Sequence, residues 1–206
     1  MDIIDMANKY SGYYSASTEP EIVEIGRMNY LSILGSGSPG TPIFYEKKKA
    51  IIDFLQQLQK EFTQKEKAFK SDIVEIFYWF DEKEGFVDIG DFYTTLSLDI
   101  LKYRIAVVIP DFITAQNIEV TAENHKEIPF ASQFETFDYN AGKCVQLMHL
   151  GPFAGELVTL PILQNFASES GLRKSGMHHE IHITHFEKGQ SQANMQTILR
   201  DPVQAI

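Results

Sequence analysis

One cysteine, one tryptophan and an excess of acidic over basic residues set the first limits on this 206-residue chain. A single cysteine, Cys144, excludes an intrachain disulfide framework and fits a reducing compartment. The net charge of −10 opposes nonspecific nucleic-acid binding, which needs clustered Lys and Arg to replace counterions. The densest run of basic residues scatters through Lys47 to Lys70, interleaved with acids, as on a solvated helix face. No helix-turn-helix candidate or basic recognition helix is visible. No apolar run reaches the ~20 residues that span a bilayer, and no basic region followed by an apolar run marks a secretory signal. These absences predict a soluble, cytoplasmic protein with no direct nucleic-acid or membrane partner. What is present is a hydrophobic fraction of 44%, rich in Phe and Tyr, which predicts a folded core. The length suits one well-buried domain, residues 1–206, or two small fused units.

The densest chemistry lies in His178-His179-Glu180-Ile181-His182-Ile183-Thr184-His185. Read as a strand, it places His178, Glu180, His182 and Thr184 on one face, and His179, Ile181, Ile183 and His185 on the other. The isoleucines read as core. Three readings of the opposite face stay open. It is a solvated face of an antiparallel strand, a His-x-Glu-x-His metal site, or a carboxylate lining a pocket. The zinc-protease helix motif does not apply, because His182 follows His179 by three residues rather than four. No Cys pair or second His-x-His supports a metal, and no cofactor is expected.

The chain divides into two halves with the same order of elements. Residues 21–34 read as a strand, stopped by the breaker cluster Gly35–Gly40. Thr41-Pro42 opens a helix carrying Phe44, Ile51, Phe54, Leu55, Leu58 and Phe62 at helical spacing. Asp72–Phe80 and Leu101–Ile109 follow as strands, separated by a glycine-bearing acidic stretch expected to be loop. Residues 114–127 read as a polar, peripheral helix. In the second half, Phe134–Tyr139 and Lys143–Leu150 flank Asn140-Ala141-Gly142, which predicts a hairpin. A helix with Leu157, Leu160, Leu163, Phe166 and Ala167 follows and stops at Gly171, with Pro161 in its first turn or at a kink. The histidine strand comes next, then a short apolar stretch broken by Pro202. Val74-Glu75-Ile76-Phe77 resembles His179-Glu180-Ile181-His182. A pseudo-twofold axis would then put Glu75, Phe77 and Trp79 on one strand face, with Glu180 and His182 across a cleft.

Several motifs together resemble the GyrI-like small-molecule-binding family. Lys143–Phe153 is similar to its "VQMxHxGPY" strand, His178–His182 to "HHEIYL", and Ile109–Thr114 to "RQPDFVT". Thr197–Val203 is similar to "KTILRxPV", and the stretch from Glu21 to Gly37 to its opening motif. The resemblance covers roughly residues 13–203. It implies an α+β fold of tandem strand–helix–strand–strand units, about 21–110 and 130–204. Two helices would back one antiparallel sheet, with a concave ligand cleft near the pseudo-twofold. The family includes effector-binding domains of multidrug-responsive activators, a gyrase inhibitor, and stand-alone hydrolases of cyclopropane-containing toxins.

The resemblance places the family's central glutamate on Glu180. Family tyrosines fall on Phe153, which lacks the hydroxyl, on His182, and on Tyr103. The family's cage tryptophan is missing from Glu82–Val87, leaving Phe86, Phe92 or Tyr93 as substitutes; Trp79 and Phe77 complete the candidate ligand-binding set. The expected partner is a hydrophobic small molecule, cationic in some cases, bound by a monomer or weak dimer. Hydrolysis of strained electrophiles, with Glu180 as the catalytic group, is the alternative. A regulatory interaction protein of the gyrase-inhibitor or transcription co-regulator type is the third reading.

Overall fold

A computed structural model describes residues 2–206. Its main strands are β1 (Glu21–Ser36), β2 (Val74–Trp79), β3 (Lys102–Val108), β4 (Glu135–Leu150), β5 (Leu172–Lys174), β6 (His178–His182) and β7 (Gln196–Ala205). The main helices are α1 (Pro42–Gln64), α2 (Ala115–Asn124) and α3 (Glu156–Glu169). The order β1-α1-β2-β3 recurs as β4-α3-β6-β7, so the tandem strand–helix–strand–strand plan is present, with α2 between the halves.

The sheet runs β4-β1-β3-β2-β6-β7-β5, with all neighbours antiparallel. Its ends also meet, because β4 pairs with β7 from Cys144↔Pro202 to Leu150↔Gln196. Six strands of this sheet therefore close into a ring, with β5 outside it, and Ile4–Asp5 and Phe69–Lys70 form a separate two-stranded ribbon. A ring of this size has no room for a helix inside, so α1 and α3 pack on its outer face. Phe44, Ile51, Phe54, Leu55 and Leu58 of α1 and Leu160 and Leu163 of α3 cover Leu31, Ile33, Ile76, Ile105 and Leu199 of the strands. Helix periodicity explains this: the apolar residues fall on one stripe, and that stripe faces the sheet. α2 opens with a capping box in which Thr114 and Asn117 satisfy one another's backbone amides.

Two expectations are corrected. Asn140-Ala141-Gly142 does not turn a hairpin: β4 is one continuous strand of 16 residues. Gly142 takes the left-handed φ of 66° inside β4, which stays in register with β1 from Glu135 to Gln146 and adds β7 on its other edge from Cys144 onward. Pro202 does not break the last strand either, since β7 runs on to Ala205 and pairs there with β5. Pro161 sits inside α3, beyond its first turn. Gly35 is fixed by contact rather than by dihedral angle. It pairs with Tyr103, and a Cβ there would lie 2.2 Å from the tyrosine ring.

The lumen side of the ring is polar at its centre. Glu75 accepts from the Tyr13 hydroxyl at 2.5 Å, the Tyr14 hydroxyl at 3.0 Å and His179 Nε2–H at 2.9 Å. Phe77 stacks on His179 at 3.9 Å. Arg200 is fully buried; its Nε donates to Gln146 Oε1 at 2.8 Å and a terminal nitrogen donates to the Tyr13 carbonyl at 2.6 Å. Met6 and Tyr13–Ser17 thus form a strap across this face, with Ser15 and Ser17 carbonyls accepting from Gln146 and the Met148 amide. Among the described residues, no helix is long and apolar enough to cross a membrane.

Candidate functional site

All five residues of β6 are buried, so neither of its faces is solvated. The outer face carries His178, Glu180 and His182, and above them lies a cavity of 430 Å³ between the N-terminal turns of α1 and α3. Phe44 and Tyr45 of α1, Phe153 and Leu157 around the start of α3, Tyr93 and Phe186 wall it. Glu180 and His182 lie at its floor with Tyr78.

Glu180 is held by several groups at once. The Tyr93 hydroxyl donates to Oε1, and His182 Nε2–H donates to Oε2 at 3.1 Å. His178 Nε2 stands 3.8 Å from Oε1. Burial pushes the Glu180 carboxyl up, but His182, His178 and Tyr93 outweigh it and hold it below the usual carboxylate range. Glu180 is therefore ionised at neutral pH. Glu156, at the start of α3, behaves oppositely. Burial, and then the negative charge of Glu180, push its carboxyl well above the ordinary value, so it is protonated. One carboxyl oxygen of Glu156 has no hydrogen-bond partner. The cleft thus holds two carboxyl groups in opposite protonation states.

Lys48 of α1 is the third charged group. Its ammonium donates to His182 Nδ1 at 3.4 Å and to the Phe186 carbonyl at 3.1 Å. Burial lowers its pKa to about 8, against the pull of Glu180 and Glu187. Burial likewise lowers the His182 pKa, and its ring is neutral, accepting from Lys48 and donating to Glu180. Behind Glu180, His178 Nδ1–H donates to Asp201 at 2.9 Å.

The structure brings together Glu180, His182, Tyr93 and Phe153. It does not bring the other candidates there. Tyr103 is fully buried beneath Phe44 and does not line the cavity. Phe77 points into the lumen with Glu75. Trp79, Phe86 and Phe92 line a different cavity. The expected relation of Glu75 to Glu180 also fails. β2 and β6 pair Glu75 with Ile181 and Ile76 with Glu180, so the two carboxylates project to opposite faces. Among the described residues, no cluster of three His, Cys, Asp or Glu is placed to hold a metal ion.

Lys48 and Glu156 are absent from the sequence reading, although each carries a signal. Lys48 lies four residues after Phe44 and three before Ile51, in phase with the apolar stripe of α1. Glu156 lies four before Leu160, in phase with the stripe of α3. A charged residue in the phase of a buried stripe is either strained or functional.

No protein-family model and no curated protein matches the sequence. Solved structures do. An uncharacterized conserved protein from Listeria innocua is 26% identical, with a TM-score of 0.82 over 98% of this chain and all of its own. A hydrolase from Listeria innocua is 23% identical, with the same TM-score and coverage. The EcmrR C-terminal domain is 12% identical, with a TM-score of 0.55 over 91% of this chain and 98% of its own. The chain has the GyrI-like fold. In this GyrI-like frame, the cleft lies between the two helices of the duplicated units and over β6.

Proposed function

We propose that this protein binds small hydrophobic molecules, planar cations among them, in the cleft over Glu180. One observation carries the reading: an ionised, buried carboxylate forms the floor of an open cavity walled by aromatic rings. Ring faces attract cations by roughly 0.5–2 kcal/mol each, and a carboxylate beneath them adds a charge term at low dielectric. The walls offer stacking surface and few directional donors, which favours breadth over narrow selectivity. The buried Cys144 and the acidic surface fit a cytoplasmic setting.

Titration with ethidium, a planar cation whose charge is independent of pH, tests this reading. Glu180→Gln keeps the shape of the side chain and removes its charge. The expected outcome is at least a tenfold loss of ethidium affinity, read by fluorescence. Equal affinity in the two proteins would remove the electrostatic role assigned to Glu180.

A second reading rests on a separate observation, the protonated Glu156 beside the ionised Glu180. Two carboxyl groups driven apart in this way make an acid and a base in one site. In hydrolysis of a strained, cyclopropane-bearing electrophile, Glu180 would take a proton from the attacking water while Glu156 gives one to the leaving carbon or heteroatom. Glu156→Gln should then keep ethidium affinity within about twofold and lower turnover by two orders of magnitude or more. Product analysis by mass spectrometry decides it, and undiminished turnover in Glu156→Gln would remove the acid role.

A further inference from the structure

Trp79, Phe86 and Phe92 converge on a cavity of 630 Å³ that is separate from the Glu180 cleft. Tyr78 forms part of the wall of both. Phe86 is 67% exposed, a large ring held against water at the rim. The charged groups on the lining are Arg173, Lys174 and Glu82, two basic and one acidic, with the Asp201 carboxylate behind Lys174.

Lys174 is the informative residue. Its side chain is only 5% exposed, and its ammonium rests on the Phe92 ring at 3.9 Å. It forms a long ion pair with Asp201 Oδ1 at 3.6 Å, and that oxygen accepts no hydrogen bond of ordinary length. Asp201 instead spends its other oxygen on His178. A buried ammonium carries three donors, and one long ion pair leaves donors over in a low-dielectric site, where an unmet donor is costly. Here they border a cavity large enough for a ligand of ten or more heavy atoms.

We propose that this cavity is a second ligand site, taking an aromatic carboxylate. The ring of the ligand would lie among Trp79, Phe86 and Phe92, and its carboxylate would accept from Lys174, with Arg173 at the rim adding attraction. The two sites then differ in sign: a cation over Glu180, an anion beside Lys174.

Trp79 is the only tryptophan of the chain, so its fluorescence reports this cavity directly. The probes are 4-nitrobenzoate and its neutral isostere 4-nitrobenzamide, both quenchers of indole emission. The acid is expected to quench saturably, with the amide at least tenfold weaker. Lys174→Met and Phe86→Ala should each weaken the acid at least fivefold. Phe86 is exposed enough that its variant keeps the fold, so a misfolded Lys174→Met would not spoil the test. Saturating ethidium should leave the acid in place. Equal binding of acid and amide, quenching that rises linearly without saturation, unchanged affinity in Phe86→Ala, or displacement by ethidium would each overturn the proposal.

Discussion

Replacing Arg200 by methionine is expected to cost about 3–5 kcal/mol of folding stability, the range seen when one partner of a buried charged network is removed. The guanidinium is fully buried in the lumen, where it serves Gln146 and the Tyr13 carbonyl and lies 4.4 Å from the Tyr13 ring. Its loss orphans two acceptors, each worth roughly 1–3 kcal/mol when buried unpaired. It also removes the positive charge from a compartment that holds Glu75. Urea unfolding checks this, and a loss below about 1 kcal/mol would show that the network contributes little. Glu75→Leu combined with Arg200→Met should cost less than the sum of the two single changes, because both residues hold Tyr13, Glu75 at its hydroxyl and Arg200 at its carbonyl.

The second large effect concerns Lys48. Its pKa of about 8 in the folded protein lies below the value of 10.5 that an unfolded lysine has. Between these values the unfolded chain binds more protons, so stability rises with pH from about 8 to about 10.5, by up to roughly 3 kcal/mol. Below pH 8 the penalty for the buried charge is fully present. Lys48→Met should therefore stabilise the protein at pH 7, by about 1–2 kcal/mol once the lost bonds to Phe186 and His182 are deducted. The same titration governs the cleft. Protonated Lys48 repels a bound cation, so ethidium affinity should rise about tenfold as pH passes upward through 8, and Lys48→Met should flatten that profile. A flat profile in the wild-type protein would show that Lys48 does not face the ligand.

The element order was readable because its signals are local. β-branched runs, the Gly35–Gly40 breaker and the stripe from Phe44 to Phe62 each act within a few residues. Glu180 was readable for the same reason, since alternation along five residues sets its face. Register was not. Val74–Phe77 and His179–His182 look equivalent, yet a shift of one position between paired strands sends Glu75 into the lumen and Glu180 into the cleft. Asn140-Ala141-Gly142 misleads in a related way: a left-handed glycine is a local hairpin signal, and only the distant strand β1, which pairs on both sides of it in one register, shows that β4 runs on. The fates of Trp79, Phe86 and Phe92 depend on the path of the connection from β2 to β3, where periodicity offers no guide. Lys48 and Glu156 are hidden because a count of apolar residues defines a stripe without registering the charged residues that share its phase.

The strap carries a consequence for assembly. Tyr13, Ser15 and Ser17 leave the ribosome more than a hundred residues ahead of their partners Gln146, Met148 and Arg200. During synthesis, the leading tyrosines must wait without their native contacts while the two lobes form behind them. Birth order and docking order are therefore reversed at this one segment: a stretch made before both lobes is the latch that closes after them.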